Sequence, residues 1–257
     1  MLVGSLNNPA LPLAIELERI AAAGFDFADV TLEPPQAWPV TGRDLARLLG
    51  KTGLPAVGHT PYYLPIASPF PELRGQAHAI FAQLLDAFAA AGVEDVNVHP
   101  DPMTKLFTRD VVVARNAEAI AELADEAGRR GLRLMVENLG AIGRRDDLDP
   151  IFDAAPSARF HLDVGHAHLD RRPADPNRTE ELLAAFGDRL RHVHVSDNFG
   201  IDDLHLPLGA GSIHWPSVIG ALKRAGWDGT VTLEIFSPEP AHLETSRRLW
   251  ERWWHAL

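Results

Sequence analysis

The feature that most constrains this chain is a regular alternation of short apolar segments with longer amphipathic ones. The short segments are rich in β-branched residues and predict eight strands, at Leu2–Ser5, Phe27–Leu32, Ala56–His59, Val93–His99, Arg133–Glu137, Arg159–Asp163, Arg191–Val195 and Thr230–Ile235. The amphipathic segments predict eight helices, at Leu13–Ala23, Leu45–Leu49, Leu73–Ala91, Arg109–Arg130, Leu148–Ala155, Thr179–Phe186, Pro216–Ala225 and Ala241–Trp254. Strict alternation of this kind favours a parallel sheet with helical crossovers.

Two parallel architectures fit this pattern, a closed (β/α)8 barrel and a doubly wound open sheet. The chain has 257 residues, and eight strand–helix units in about 250 residues is the usual size of the barrel. No shift in composition and no low-complexity segment marks a domain boundary. We therefore predict an α/β fold in which residues 1–257 form a single (β/α)8 barrel domain.

Composition narrows the classes of function. The absence of cysteine removes disulfides, thiolate metal ligands and cysteine nucleophiles. No segment approaches the ~20 apolar residues that span a bilayer, and the residues from Met1 to Ser5 lack the features of a signal peptide. We expect a cytoplasmic protein that does not bind membranes. The net charge of −11 argues against nucleic acid as a partner, although a local basic patch is compatible with an acidic total.

Six successive predicted strands each finish on a histidine or a carboxylate. These side chains are His59, His99, Glu137, Asp163, His194 and Glu234. Because all strands of a parallel barrel point the same way, the six side chains should reach one rim, which in barrel enzymes carries the active site.

A single histidine or glutamate at a strand end is ordinarily just solvated, but six on one rim are different. Converging carboxylates and imidazoles would lose solvation and repel one another without a counter-charge. A bound cation removes this conflict. Nitrogen and oxygen ligands without sulfur suit Zn²⁺ or Mn²⁺, with Co²⁺ and Mg²⁺ as alternatives. The sequence therefore predicts a divalent-metal site.

The loops after two of these strands carry further candidates. In Asp163-Val164-Gly165-His166 a second potential ligand follows the first by three residues. In Asp203-Leu204-His205 two potential ligands lie on the same side of an extended segment, so both can reach one ion.

Other histidines are expected to have lesser roles. His161 and His192 precede Asp163 and His194 by two residues, so they should face the same side deeper in the barrel and support or pack against the site. His168 is expected to be a solvated loop residue. The tryptophans of the segment 247–254 fit a last barrel helix packed on its neighbour better than a partner-binding helix.

Five segments together resemble a known superfamily. They are His59-Thr60-Pro61-Tyr62, Val136-Glu137-Asn138, Asp163-Val164-Gly165-His166, His194-Val195-Ser196-Asp197 and Asp203-Leu204-His205-Leu206-Pro207-Leu208-Gly209-Ala210-Gly211. They are similar to the xylose isomerase-like TIM barrels, which include sugar (phosphate) isomerases and epimerases, inosose dehydratases, hydroxypyruvate isomerases and AP endonucleases of family 2. The resemblance covers nearly the whole chain and does not choose among these members.

The resemblance implies two ligand sets. One-metal isomerases and epimerases of the superfamily use a core that corresponds to Glu137, Asp163, His194 and Glu234, with His166 beside the substrate. The endonuclease branch uses three zinc ions and nine ligands, which correspond to His59, His99, Glu137, Asp163, His166, His194, Asp203, His205 and Glu234.

Two departures weaken the endonuclease alternative. The segment 32–38 has no arginine or lysine where the nuclease loop carries a basic residue, and the chain as a whole is acidic. Our first hypothesis is therefore a metal-dependent isomerase or epimerase of a small sugar-like substrate. In it, Glu137 and Glu234 exchange protons with an enediolate held by the ion, and His166 orients the substrate or shuttles a proton.

The alternatives are a multi-zinc phosphodiesterase of the endonuclease IV type and a binding protein without activity. The substrate, its phosphorylation, the number of ions and a possible homo-oligomer are not identified by the sequence.

Overall fold

Eight parallel strands lie side by side in sequence order and close into a barrel, with β1 paired to both β2 and β8. The computed structural model describes residues 1–103, 105–169 and 178–256. The strands are β1 Leu2–Leu6, β2 Phe27–Thr31, β3 Ala56–His59, β4 Asp95–Val98, β5 Arg133–Glu137, β6 Arg159–Asp163, β7 Leu190–Val195 and β8 Thr230–Leu233. The predicted (β/α)8 barrel is confirmed.

Helices connect successive strands on the outside of the barrel. They are α1 Leu13–Ala22, α2 Gly42–Thr52, α3 Pro71–Ala90, α4 Arg109–Arg129, α5 Arg145–Ala154, α6 Val164–His168, α7 Arg178–Phe186, α8 Trp215–Arg224 and α9 Pro240–Ala256, with a 3-10 turn at Gly187–Arg189. None of the helices in the described ranges has the length and apolarity to cross a membrane.

Several predicted boundaries were wrong, including those of α2, α5, β4 and β8. Helix α2 is longer than the predicted Leu45–Leu49, because the Thr41 side chain accepts a hydrogen bond from Asp44 N and starts the helix earlier. Strands β4 and β8 end before His99 and Glu234, which therefore stand just beyond the ladder. The short helix α6 was not predicted at all.

The two faces of the strands differ in chemistry. Outward-facing residues such as Val30, Val136 and Val193 join the main hydrophobic core under the helices. The residues that alternate with them point into the barrel, as the period of two in a strand requires. There, a small apolar cluster of Phe27, Val57 and Met135 lies two residues before Asp29, His59 and Glu137, so the barrel interior changes from apolar to polar towards the carboxyl ends of its strands.

Helix α9 packs against helix α8 through its tryptophans. Trp250 is fully buried, and its ring centroid lies 6.0 Å from that of Trp215 on α8. Trp253 stacks on the same Trp215 ring at 6.1 Å. The predicted packing of this helix on its neighbour is therefore confirmed.

Two glycine substitutions should have opposite effects on stability. A Cβ on Gly4 would overlap the Phe27 ring inside the barrel. A Cβ on Gly50, at an exposed position of helix α2, would meet nothing within 4 Å. We expect Gly4→Ala to lower the free energy of unfolding by about 1–3 kcal/mol through overpacking. Gly50→Ala should raise it by up to about 1 kcal/mol through helix propensity. Urea denaturation checks both, and an unchanged midpoint for Gly4→Ala would contradict the packing described above.

Candidate metal centre

Four of the predicted ligands meet at the carboxyl ends of the strands. Glu137, Asp163, His194 and Glu234 each offer a donor atom, and these atoms all lie within 4.8 Å of one another. All four side chains are buried, with at most 6% of their surface exposed. We call this set the core group. The structure thus brings together the residues that the one-metal branch of the superfamily implied.

The contacts inside the core group leave room for a cation. His194 Nδ1 lies 3.1 Å from Glu234 Oε2 and 3.8 Å from Asp163 Oδ2. Among the described residues no donor forms a hydrogen bond with Asp163 Oδ2, although it is buried. A buried carboxylate oxygen without a donor is costly unless a cation compensates it, so this donor set fits a divalent ion.

The five remaining predicted ligands form two flanking groups. His59 and His99 join Glu137 in the first, and His166, Asp203 and His205 form the second. Glu137 belongs to the core group as well, and His205 Nδ1 lies 3.6 Å from Glu234 Oε2. All nine sequence-predicted side chains therefore fall into three adjacent groups.

Asp163 also shapes the loop that follows it. Its side chain accepts a hydrogen bond from His166 N at 2.6 Å and caps the short helix α6. The helical turn brings His166 to the site and directs His168 inwards, where its Nε2 lies 3.0 Å from Ser212 Oγ. His168 is buried, so the expectation of a solvated loop residue was wrong. The sequence reasoning had not recognised Asp163 as a helix cap.

Asp197 folds the loop that carries Asp203 and His205. Its carboxylate accepts hydrogen bonds from Gly209 N at 2.9 Å, from Ile213 N at 3.1 Å and from Trp215 Nε1 at 3.0 Å. These bonds join both ends of the loop. No role for Asp197 was predicted from the sequence.

Asn97 and Asp29 are buried polar residues that the sequence analysis overlooked. Asn97 Nδ2 donates to Glu137 Oε2 at 2.8 Å, and Asn97 Oδ1 accepts from Thr60 N. Asp29 Oδ2 lies 2.7 Å from His194 Nε2. A carboxylate in the middle of strand β2, between Ala28 and Val30, was the available signal, because aspartate is disfavoured in strands.

The two deeper histidines lie where they were expected. The His161 ring centroid is 4.0 Å from that of His194. His192 Nε2 lies 3.2 Å from Asp29 Oδ2, and its Nδ1 lies 2.7 Å from Thr230 Oγ1. Both residues therefore lie beneath the core group and pack against it.

Burial and close negative charges shift the pKa values of the core group. Burial raises the pKa of Asp163 to about 7, and the nearby Glu234 and Glu137 add to the rise against the opposing effect of His166. Burial disfavours the charge on His194, but Glu234 and Asp29 outweigh it and raise the pKa of His194 well above its usual range. Within the described ranges no lysine or arginine pairs with the core group. A divalent ion would supply the missing positive charge.

A cavity of about 980 Å³ opens above these groups. Its lining includes Glu137, His166 and Glu234 together with the apolar side chains of Leu11 and Phe236. Arg19 is the one basic side chain besides histidine among the described lining residues, and its guanidinium is hydrogen-bonded to Glu16 at 2.9 Å. The cavity has the size of a small-molecule site.

A closed parallel barrel with a metal-type donor set at its strand ends defines the class of protein. The profile of the xylose isomerase-like TIM barrel family matches residues 17–253. The chain belongs to this family.

Individual proteins of known name or structure are similar to this chain over most of its length. L-ribulose 3-epimerase of Methylomonas sp. (strain DH-1) is 26% identical over 91% of this chain and 83% of its own. The crystal structure of a D-tagatose 3-epimerase-like protein superposes with a TM-score of 0.86 at 23% identity and covers 100% of this chain and 98% of its own. A Thermus thermophilus protein soaked with ZnCl2 superposes with a TM-score of 0.74 at 26% identity, covering 98% of this chain and 99% of its own.

Asp163→Asn should change stability in opposite directions without and with metal. A carboxyl group whose pKa is raised to about 7 on folding binds its proton more tightly in the native than in the unfolded state. The free energy of unfolding of the protein therefore falls as the pH rises from ~4, the usual pKa of an aspartate, towards 7. At pH 8 the metal-free variant should melt several degrees higher than the wild-type protein, and this gain should shrink at pH 5.

Added Zn²⁺ or Mn²⁺ should raise the melting temperature of the wild-type protein more than that of Asp163→Asn. Asp153→Asn, at an exposed position of α5, is the matched control and should behave as the wild-type protein does. Equal stabilisation of the wild-type protein and Asp163→Asn by metal would show that Asp163 is not a ligand.

Proposed function

We propose that this protein is a divalent-metal-dependent epimerase or isomerase of a small sugar or a related polyhydroxy carbonyl compound. The observation that carries the proposal is the meeting of Glu137 and Glu234, from strand ends β5 and β8, within one buried core group beneath a cavity. The matched L-ribulose 3-epimerase supports a sugar as the substrate. The acidic groups around the cavity fit a neutral polyhydroxy compound better than a polyanion.

Glu137, Asp163, His194 and Glu234 would hold the ion, with Zn²⁺ or Mn²⁺ favoured by their nitrogen and oxygen donors. When bound, the ion would polarise the substrate carbonyl and acidify the neighbouring C–H bond. Asn97, which donates to Glu137 Oε2, would keep that carboxylate turned towards the site.

The two glutamates are held in their ionised form. Burial favours their neutral forms, but neighbouring histidines outweigh it and lower the pKa of Glu137 well below its usual range and that of Glu234 to about 2. Each is therefore free to accept a proton, and one glutamate would remove the proton next to the carbonyl. The other would take up a proton from solvent and return it to the opposite face of the same carbon, which gives an epimer, or to the adjacent carbon, which gives an isomer.

His166, Asp203 and His205 lie along the edge of the core group and line the cavity. His166 Nδ1 lies 3.3 Å from Glu137 Oε1 but is hydrogen-bonded to Asn138 O at 2.9 Å, and its Nε2 lies 2.9 Å from Asp203 Oδ2. The same Asp203 oxygen lies 3.1 Å from His205 Nε2, and His205 Nδ1 is hydrogen-bonded to Glu234 O at 3.1 Å. Because the Nδ1 atoms of both histidines are bonded to backbone carbonyls, we assign to Asp203 the orientation of the two rings towards the substrate.

Glu137→Gln and Glu234→Gln should each abolish epimerisation, because an amide cannot take up the substrate proton. We expect kcat to fall by about 10²–10⁴-fold or more, the usual contribution of an acid–base group. The measurement is deuterium incorporation next to the carbonyl for a panel of ketoses in deuterated water. Glu244→Gln, an exposed carboxylate on α9, is the control. Strand cleavage of an abasic-site oligonucleotide without exchange on any ketose would contradict the proposal.

Asp203→Asn should weaken substrate binding while both glutamates remain able to transfer protons. The variant removes the charge that holds His166 and His205 at the cavity, so we expect KM for the converted ketose to rise more than kcat falls. Steady-state kinetics of the wild-type protein and the variant provide the measurement. An unchanged KM would show that Asp203 does not orient these histidines towards the substrate.

A second candidate function follows from the same nine side chains. Their arrangement in three adjacent groups is the arrangement that a multi-zinc phosphodiesterase of the endonuclease IV type would require, with Glu137 shared between two ions. The metal content of the purified protein distinguishes the candidates. About one ion per chain supports the epimerase or isomerase, and two or three ions together with phosphodiester cleavage support the alternative.

A further inference from the structure

We propose that Asp29 is a positioning residue that fixes which ring nitrogen of His194 faces the metal. Asp29 lies on strand β2, is fully buried, and is not one of the nine ligands predicted from the sequence. The inference rests on the proposed function, because it concerns the ion held by the core group.

The geometry places Asp29 directly behind His194. Asp29 Oδ2 lies 2.7 Å from His194 Nε2, while His194 Nδ1 on the opposite edge of the ring lies 3.1 Å from Glu234 Oε2. The His194 ring therefore bridges a carboxylate beneath the core group and the core group itself.

The chemistry of the two partners determines the tautomer. An ionised carboxylate only accepts hydrogen bonds, so the nitrogen that faces it must carry the proton. Nδ1 faces the ionised Glu234 in the same way, so without an ion both ring nitrogens carry a proton. A bound ion would displace the Nδ1 proton to solvent, whereas Asp29 would hold the proton on Nε2, which leaves Nδ1 as the ligand atom. A carboxylate behind a ligating histidine is a recurring device that fixes ring orientation and makes the ligand more basic.

Asp29 itself is held in place from several sides. Oδ2 also accepts from Thr232 Oγ1 at 2.9 Å and lies 3.2 Å from His192 Nε2. These contacts come from β8 and β7, whereas Asp29 belongs to β2. The carboxylate is therefore fixed relative to both strands that supply His194 and Glu234.

The second oxygen of Asp29 extends the same support to a flanking group. Oδ1 lies 3.7 Å from His59 Nδ1, and the His59 and His194 rings stack with their centroids 5.4 Å apart and their planes 7° from parallel. His59 belongs to the group with His99 and Glu137, so the same buried carboxylate lies beside histidines of two ligand groups, with a hydrogen bond to His194 and only a longer contact to His59.

The test compares Asp29→Asn with Thr232→Val. Both variants alter the hydrogen bonding at the same carboxylate oxygen, but only the first removes the charge behind His194. The quantities to be measured are the dissociation constants of Zn²⁺ and Mn²⁺, by chelator competition, and the visible spectrum of the Co²⁺-loaded protein. For Asp29→Asn we expect affinity to fall by about 10–100-fold and the Co²⁺ bands to shift, while Thr232→Val, which removes one contact of Asp29 but keeps its charge, should lose much less affinity.

Equal affinities and spectra for the two variants would overturn the proposal. If Asp29→Asn does not fold, Asp29→Ser, which leaves space for a water molecule, replaces it. Failure of both to fold would show that the carboxylate is required for folding, and this too would overturn the positioning role. If the wild-type protein binds no divalent ion, the proposed function fails. If it binds one and Asp29→Asn binds equally well, only the present inference fails.

Discussion

The structure depends on one constraint, the burial of four carboxylates inside the barrel with no lysine or arginine of the described residues to neutralise them. Among the described residues, the only ion-pair partners of these carboxylates are histidines. The four carboxylates are those of Asp29, Glu137, Asp163 and Glu234. Burying charge in this way costs stability unless a counter-charge is present. A natural sequence tolerates such a conflict at functional sites. Under the proposed function, a bound cation would supply that counter-charge, and the pKa of about 7 at Asp163 reflects burial and the crowding of negative charge.

The polar site is built in layers upon an apolar base. Phe27, Val57 and Met135 fill the interior below, the layer of Asp29 and His192 follows, and the core group lies on top. Because side chains alternate along a strand, the positions of Asp29, Glu137, Asp163 and His194 are set by the register of the strands, and Glu234 directly follows β8. These residues stand on or next to rigid elements, which would favour a fixed coordination geometry, whereas Asp203 and His205 lie in a loop.

Much of this arrangement was predictable from the sequence, since parallel strands that end on Glu137, Asp163 or His194 must deliver those side chains to one rim. The supporting residues were not predictable in the same way. Asp29 and Asp197 act through partners far apart in the chain, and only the closed barrel brings those partners together. Helix boundaries depended on caps that were not recognised. The cytoplasmic location and the possible homo-oligomer remain predictions from the sequence.

The most direct test of the central claim is a crystal structure of the protein loaded with Mn²⁺ or Zn²⁺, with the ion located by anomalous scattering. The account predicts a peak bounded by Glu137, Asp163, Glu234 and the Nδ1 atom of His194, each at about 2.0–2.2 Å for zinc. A map with no peak among these four side chains, or with His194 bound through Nε2, would contradict it.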